Sequence, residues 1–211
     1  LPLKAAQDRK LIGSETQALD IPNKTDGAAV YGIDAIYEGM VYAKPIIPPT
    51  RYGSSVKSVD DSQAKKVKGY QQTLVLDDPS NTVPGWALVI ADSFHAAQRA
   101  ERLIEVKWNA GPTANVSEQD ILARGAELIA GNEGSLVVED GEVDATFASA
   151  DSVLTQSYTT STVLHFQLEP VNAIGLQKDG LWELHTGNQW QSLILPALAQ
   201  SLGVPVEKVV M

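Results

Sequence analysis

The chain contains no cysteine. Disulfides, thiolate metal sites, iron–sulfur ligation and a cysteine nucleophile are therefore excluded within it. Positive charge is also scarce: 16 Lys and Arg stand against 26 Asp and Glu, and no basic run exceeds two residues. That balance argues against nucleic acid or an anionic membrane surface as a partner. No apolar run approaches the roughly 20 residues that a membrane-spanning helix needs. The histidines number three, His95, His165 and His185, and no two stand at the i, i+3 or i, i+4 spacing that binds a metal from one helix. Gly-x-Ser-x-Gly, Gly-x-Gly-x-x-Gly and the P-loop pattern are missing as well, which removes the motif-bearing hydrolases, dinucleotide binders and P-loop enzymes.

What remains is a chain of 211 residues, 44% of them apolar, enough for one large or two modest cores. It opens Leu1-Pro2-Leu3-Lys4 without a methionine, as a processed or excised piece does, so a fragment is expected. Residues 1–24 carry little periodicity and read as an extended lead-in, with punctuating residues up to Gly27. Strands are expected over 28–34, 40–47, 55–59, 70–76 and 86–91, each bounded by Gly, Pro or Asp turns. Asp60-Asp61-Ser62 offers a cap for a brief helix through Val67. Asp92-Ser93 caps a longer one with Phe94, Ala97, Ala100, Leu103 and Ile104 on its inner face, followed by a strand over 104–108. Ser117 to Asp120 has the spacing of a capping box ahead of Ile121, Leu122, Leu128 and Ile129, and 143–150 reads as a short helix. Strands and helices without regular β-α-β alternation make the fold class α+β or mixed α/β.

The last quarter is the most unusual. Residues 172–177 and 181–185 alternate as a hairpin, turning at Lys178-Asp179-Gly180. Thr186-Gly187-Asn188-Gln189-Trp190-Gln191 then opens an amphipathic segment, with Leu193, Ile194, Ala197, Leu198 and Leu202 at helical spacing before Gly203 and Pro205. Gln189 thus falls at a strand-to-helix junction, where backbone N–H groups are unpaired and ligands often sit. Spacing alone leaves two readings, a ligand contact or a solvated loop residue, and favours the second. Glu169 has a general-base and a structural reading. Its place before Pro170 in extended backbone favours structure, with His165 as a hydrogen-bonding neighbour that shapes the loop.

Several phrases occur in an order that resembles a known family. They are Lys10-Leu11-Ile12-Gly13, Leu19-Asp20-Ile21-Pro22 with Lys24 and Gly27, Tyr31-Gly32-Ile33-Asp34, and Gly39-Met40-Val41-Tyr42-Ala43. Further along come Ala91-Asp92-Ser93-Phe94, Val106-Lys107-Trp108, His165 with Glu169-Pro170, Gln189, and Leu202-Gly203-Val204-Pro205. Together they resemble the molybdenum-cofactor large subunit of the xanthine dehydrogenase and aldehyde oxidase family, closest in flavour to the isoquinoline 1-oxidoreductase β-subunit type.

The resemblance implies an α/β-hammerhead domain over 25–112, a helical connection over 113–151, and over 152–211 the first strands and helix of a truncated molybdenum-cofactor-binding domain. It implies a molybdopterin cofactor, in the cytosine dinucleotide form, with molybdenum in the intact protein and none on this piece alone. Gln189 matches the family's first cofactor contact, although Gly187-Asn188 departs from the more usual single Thr before that Gln. No catalytic residue and no metal ligand is implied within these residues, because the Gly-Gly-x-Phe-Gly phrase and the catalytic Glu fall later in the family. The intact enzyme would hydroxylate an N-heterocycle or an aldehyde with water as oxygen donor. The implied partners are an iron–sulfur small subunit and a small-molecule substrate, with self-association of the piece, and the implied location is the bacterial periplasm or membrane. The other reading is a hammerhead-type scaffold that binds without catalysis.

Overall fold

Two compact units divide the chain, one formed by Val41–Leu168 and the other by Leu1–Met40 together with Glu169–Met211. The computed structural model describes residues 3–50, 52–76, 85–131, 134–138, 140–163 and 167–211.

In the first unit, strands β1 (Tyr42–Ile46), β3 (Tyr70–Val75) and β4 (Ala87–Ala91) form an antiparallel sheet in the order β1-β4-β3. β4 is a continuous apolar run, as a strand paired on both edges and covered on a face should be. Strands β2 (Ser55–Asp60) and β5 (Glu105–Asn109) make a separate antiparallel ribbon with an irregularity between Val56 and Ser58. Helix α2 (Phe94–Glu101) packs on β1 and β4. It begins where expected, with the Ser93 hydroxyl accepting the Ala96 N–H, the usual way of satisfying one of the first helical donors. The core is Ala64, Val67, Val89, Ala91, Ala96, Ala97 and Ala100, closed by Tyr42, Ile46, Tyr70 and Ile104. Phe94 and Leu103, expected on the inner face, are half exposed. The buried stripe consists instead of three alanines, whose small side chains let the helix backbone approach the sheet.

The expected helix after Asp61 is a single 3-10 turn, Ala64–Lys66. Asp61 anchors it: its carboxylate meets Lys65 Nζ at 2.6 Å and accepts the Tyr70 hydroxyl at 2.7 Å. Lys65 and then Tyr70 hold the Asp61 carboxyl below the ordinary carboxylate range, while burial pushes the Tyr70 hydroxyl up. A carboxyl lowered in the folded state stabilises the fold above its unfolded pKa, about 3.9, and loses that contribution as pH falls through the folded value. Asp61→Asn should therefore cost roughly 1 kcal/mol near neutral pH, after discount for solvent screening, and almost nothing in strong acid. Melting curves of both proteins from pH 7 to pH 2 check this; a gap that stays constant with pH refutes it.

Helix α3 (Glu118–Ala130) carries the expected capping box, with Asp120 accepting the Ser117 N–H at 2.8 Å and Ser117 accepting the Asp120 N–H at 3.2 Å. Its apolar residues Ile121 and Ile129 are exposed. Helix α4 follows at Val143–Ser149.

In the second unit, the lead-in is not wholly extended. It holds a 3-10 turn at Ala6–Asp8 and helix α1 at Ile21–Asp26. Pro22 in its first turn presets φ, Asp20 and Lys24 pair one turn apart, and Gly27 ends it at φ +80°. Residues 28–34, expected as a strand, form no strand ladder among the described residues; Gly32–Asp34 is a 3-10 turn in which Asp34 takes back the Tyr31 N–H. The local carboxylate bond competes with strand pairing there. The hairpin forms as expected, β6 (Ile174–Lys178) antiparallel to β7 (Leu181–His185). Asp179 and Gly180 both take positive φ, 51° and 76°, the pair of values that a two-residue type I′ turn requires. Helix α5 (Gln191–Leu202) ends at Gly203, where Gly203 N–H reaches Gln200 O and Val204 N–H reaches Ala199 O, a Schellman termination. The chain returns as β8 (Val209–Val210), parallel to β7.

Candidate functional site

The segment β7-α5-β8 is a parallel strand-helix-strand crossover, and Gln189 lies on its first bend, past the carboxyl end of β7 and before the first turn of α5. In open sheets with such crossovers this end of the strands is where ligands bind, since loops there present side chains and helix N–H groups outward. The expected placement at a strand-to-helix junction is thus what the fold provides.

The loop is held on both sides of Gln189. Upstream, the Thr186 hydroxyl donates to the Asn172 carbonyl at 2.8 Å. Downstream, the Asn188 side-chain oxygen accepts the Trp190 N–H, and Gln191 Nε2 donates to the Asn188 carbonyl at 2.9 Å. Gln189 itself is exposed and its side-chain amide makes no hydrogen bond among the described residues. A primary amide offers two donors and one acceptor without charge. It therefore suits a ligand bearing electronegative oxygen, and a carboxylate at this place would repel one.

A second cluster supports the loop from behind. Asn172 Nδ2 donates to the Pro170 carbonyl at 2.7 Å and to Glu169 Oε1 at 3.4 Å, and the same oxygen of Glu169 accepts the Gly32 N–H at 3.3 Å. Glu169 is thus engaged in backbone and amide bonding, the structural role favoured by its position before Pro170. Asn172 Oδ1 is buried without a partner. Thr186 opens the polar phrase that runs to Gln191, but nothing in the sequence pairs it with Asn172.

The histidines do not converge among the described residues. His95 is exposed on α2, whereas His185, at the end of β7, lies 3.6 Å from Glu183 and has its ring 6.1 Å from that of Tyr37. His165 lies outside the described residues. No group of His, Asp and Glu able to hold a metal ion occurs among the described residues. A hollow of about 370 Å³ lies elsewhere, between α4 and the residues after it, lined by Asp140, Glu142, Val143, Phe147, Val153 and Leu154. It is not part of the Gln189 loop.

These features coincide with a known domain: residues 129–211 match the molybdopterin cofactor-binding domain family. The relatives that the chain matches include an isoquinoline 1-oxidoreductase β subunit and xanthine dehydrogenases, the group that its sequence phrases resembled. Over its whole length it is 55% identical to a membrane-bound aldehyde dehydrogenase [pyrroloquinoline-quinone] of Gluconacetobacter polyoxogenes, of which it covers 28%. It is 30% identical over its whole length to the isoquinoline 1-oxidoreductase β subunit of Brevundimonas diminuta, of which it covers 27%. Among solved structures, 95% of the chain superposes on 30% of the quinoline 2-oxidoreductase chain of Pseudomonas putida 86 with a TM-score of 0.65 and 17% identity. For the aldehyde oxidoreductase of Desulfovibrio gigas the TM-score is 0.60 at 18% identity, over 90% of this chain and 25% of that one. The structural matches establish a shared mixed α/β fold. The chain spans less than a third of the length of the relatives it matches.

Proposed function

We propose that this chain is a segment of the large subunit of a molybdenum hydroxylase, which oxidises aldehydes or N-heterocycles with water as oxygen donor, and that Gln189 is a cofactor contact in it. The observation that carries this reading is the position of Gln189, an uncharged hydrogen-bonding side chain left free on a fixed loop at the carboxyl end of β7. The molybdopterin-domain match over 129–211 supports the cofactor class. When bound, the group supplies the oxidising equivalents and the activation of water. The protein's part at this loop is to donate a hydrogen bond from Gln189 and to hold the loop still while it does so.

Within this reading, residues 25–112 form a hammerhead domain, 113–151 a helical connection and 152–211 the opening of the cofactor domain. The cofactor is the cytosine dinucleotide form. The segment alone is inactive and does not retain it, and the electrons leave through an iron–sulfur small subunit, a division of labour that suits a chain without cysteine. Exposed Trp190, Leu193 and Val210 support self-association of the segment on its own. The membrane-bound aldehyde dehydrogenase among the relatives supports a periplasmic or membrane-associated location and an aldehyde as the first substrate to try.

That relative's name also carries a quinone, which favours a second reading in which pyrroloquinoline quinone replaces molybdopterin. One experiment separates the two. The protein expressed from its native gene in a host able to make both groups is purified and assayed for molybdenum by elemental analysis and for the quinone by extraction. Molybdenum near one equivalent is the expected result. The quinone without molybdenum would replace the first reading by the second, and neither group would leave a binding scaffold of this fold.

A further inference from the structure

The backbone ladder of the β6–β7 hairpin ends at the Ile174–His185 pair. One residue beyond it the Thr186 hydroxyl reaches the carbonyl of Asn172, two residues before β6, at 2.8 Å and in a part-buried setting. The bond extends the hairpin by a side chain where the backbone no longer pairs, and so fixes the direction in which residues 187–189 leave the sheet. Asn172 is fixed in turn: its amide is tied to Pro170 and Glu169, and Glu169 takes the Gly32 N–H. The fit at Gly32 is close, since a Cβ there would lie 2.0 Å from Asn172 Oδ1.

From this geometry we propose that Thr186 is a positioning residue, the latch that holds the Gln189 loop, and that the turn at Gly32–Asp34 is the brace behind it. The inference builds on the reading of Gln189 as a cofactor contact, but the latch itself is a property of this chain's own residues. A side chain aimed at a ligand needs a rigid supporting shell, because a loop free to swing loses contacts that depend on distance and angle.

The test is hydrogen exchange at the amides of residues 187–190 in the protein expressed from its native gene, with elemental analysis of the same samples. Thr186→Val keeps the shape and removes the hydroxyl, and should speed exchange there about tenfold, the effect of losing one part-buried hydrogen bond. Thr186→Ser should restore the native rate. Gly32→Ala, which displaces the Asn172 amide from the opposite side, should also speed exchange, and decides the matter if the valine variant does not fold. Native exchange rates in Thr186→Val, or in Gly32→Ala where that variant decides, overturn the latch. Faster exchange in a protein whose cofactor retention is unaffected by Gln189→Ala supports the latch and overturns the cofactor role of Gln189.

Discussion

On the proposed cofactor role of Gln189, Gln189→Ala is expected to lower the oxidation rate of the protein expressed from its native gene about a hundredfold while leaving its folding stability unchanged. The two halves of that expectation have separate causes. Gln189 is exposed and its side chain bonds to nothing among the described residues, so truncating it removes no packing, and substitutions of that kind stay within about 0.5 kcal/mol. A neutral donor aimed at a site where negative charge develops on oxygen, by contrast, is worth about 100-fold or more in rate when water is excluded. Gln189→Glu should be as poor as alanine, because it replaces donors with a charge of the wrong sign. Steady-state rates on an aldehyde and on an N-heterocycle, read beside thermal melts, check both halves. Loss of activity accompanied by an equal loss of stability would make Gln189 a structural residue.

The largest effect on folding is expected at Gly111. A Cβ built there would lie 1.8 Å from the Tyr52 carbonyl oxygen and 2.9 Å from its carbon. Both are backbone atoms, so no rotamer change relieves the overlap. The neighbourhood has little room to yield: Gly53 at φ +72° sits against Pro112, and buried Ser54 bonds to the Thr50 carbonyl at 2.8 Å. Gly111→Ala should therefore separate the end of the β2–β5 ribbon from the turn around Tyr52 and cost about 3 kcal/mol or more. Urea denaturation gives the figure, and a loss below about 1 kcal/mol would mean that the turn moves aside.

Much of the first unit was legible because its signals are local. The apolar run at Ala87–Ala91, the Ser93 cap and the Ser117–Asp120 box each need only neighbouring residues, and each stands where the sequence puts it. The hairpin was legible for the same reason, since Asp179-Gly180 is a turn in its own right. The inner face of α2 was read correctly at Ala97 and Ala100, with Ile104 against the same core, but not at Phe94 and Leu103, because helical spacing identifies apolar residues without saying how close the sheet comes. Small alanines admit the sheet, and that leaves Phe94 and Leu103 half exposed. The expected strand at 28–34 failed on a contest between two local interactions, alternation against the Asp34 carboxylate, which closes a turn on Tyr31.

The site divides in the same way. The junction that bears Gln189 follows from periodicity, but the cofactor role proposed for it came only with the family resemblance, because an exposed glutamine on a loop has no distinctive local pattern. Glu169 shows the limit more sharply. Its partner is the backbone N–H of Gly32, 137 residues earlier, and a backbone donor leaves no residue type to read.

That same separation sets an order of events during synthesis. Residues 41–168 form a unit of their own, whereas the unit carrying the Gln189 loop joins Leu1–Met40 to Glu169–Met211. On a ribosome adding about 5–20 residues per second, Gly32 is made roughly 7–27 s before Glu169 exists to receive it. The intervening unit has that interval in which to fold, while the Gly32 N–H on the early segment stays without its acceptor until Glu169 is made.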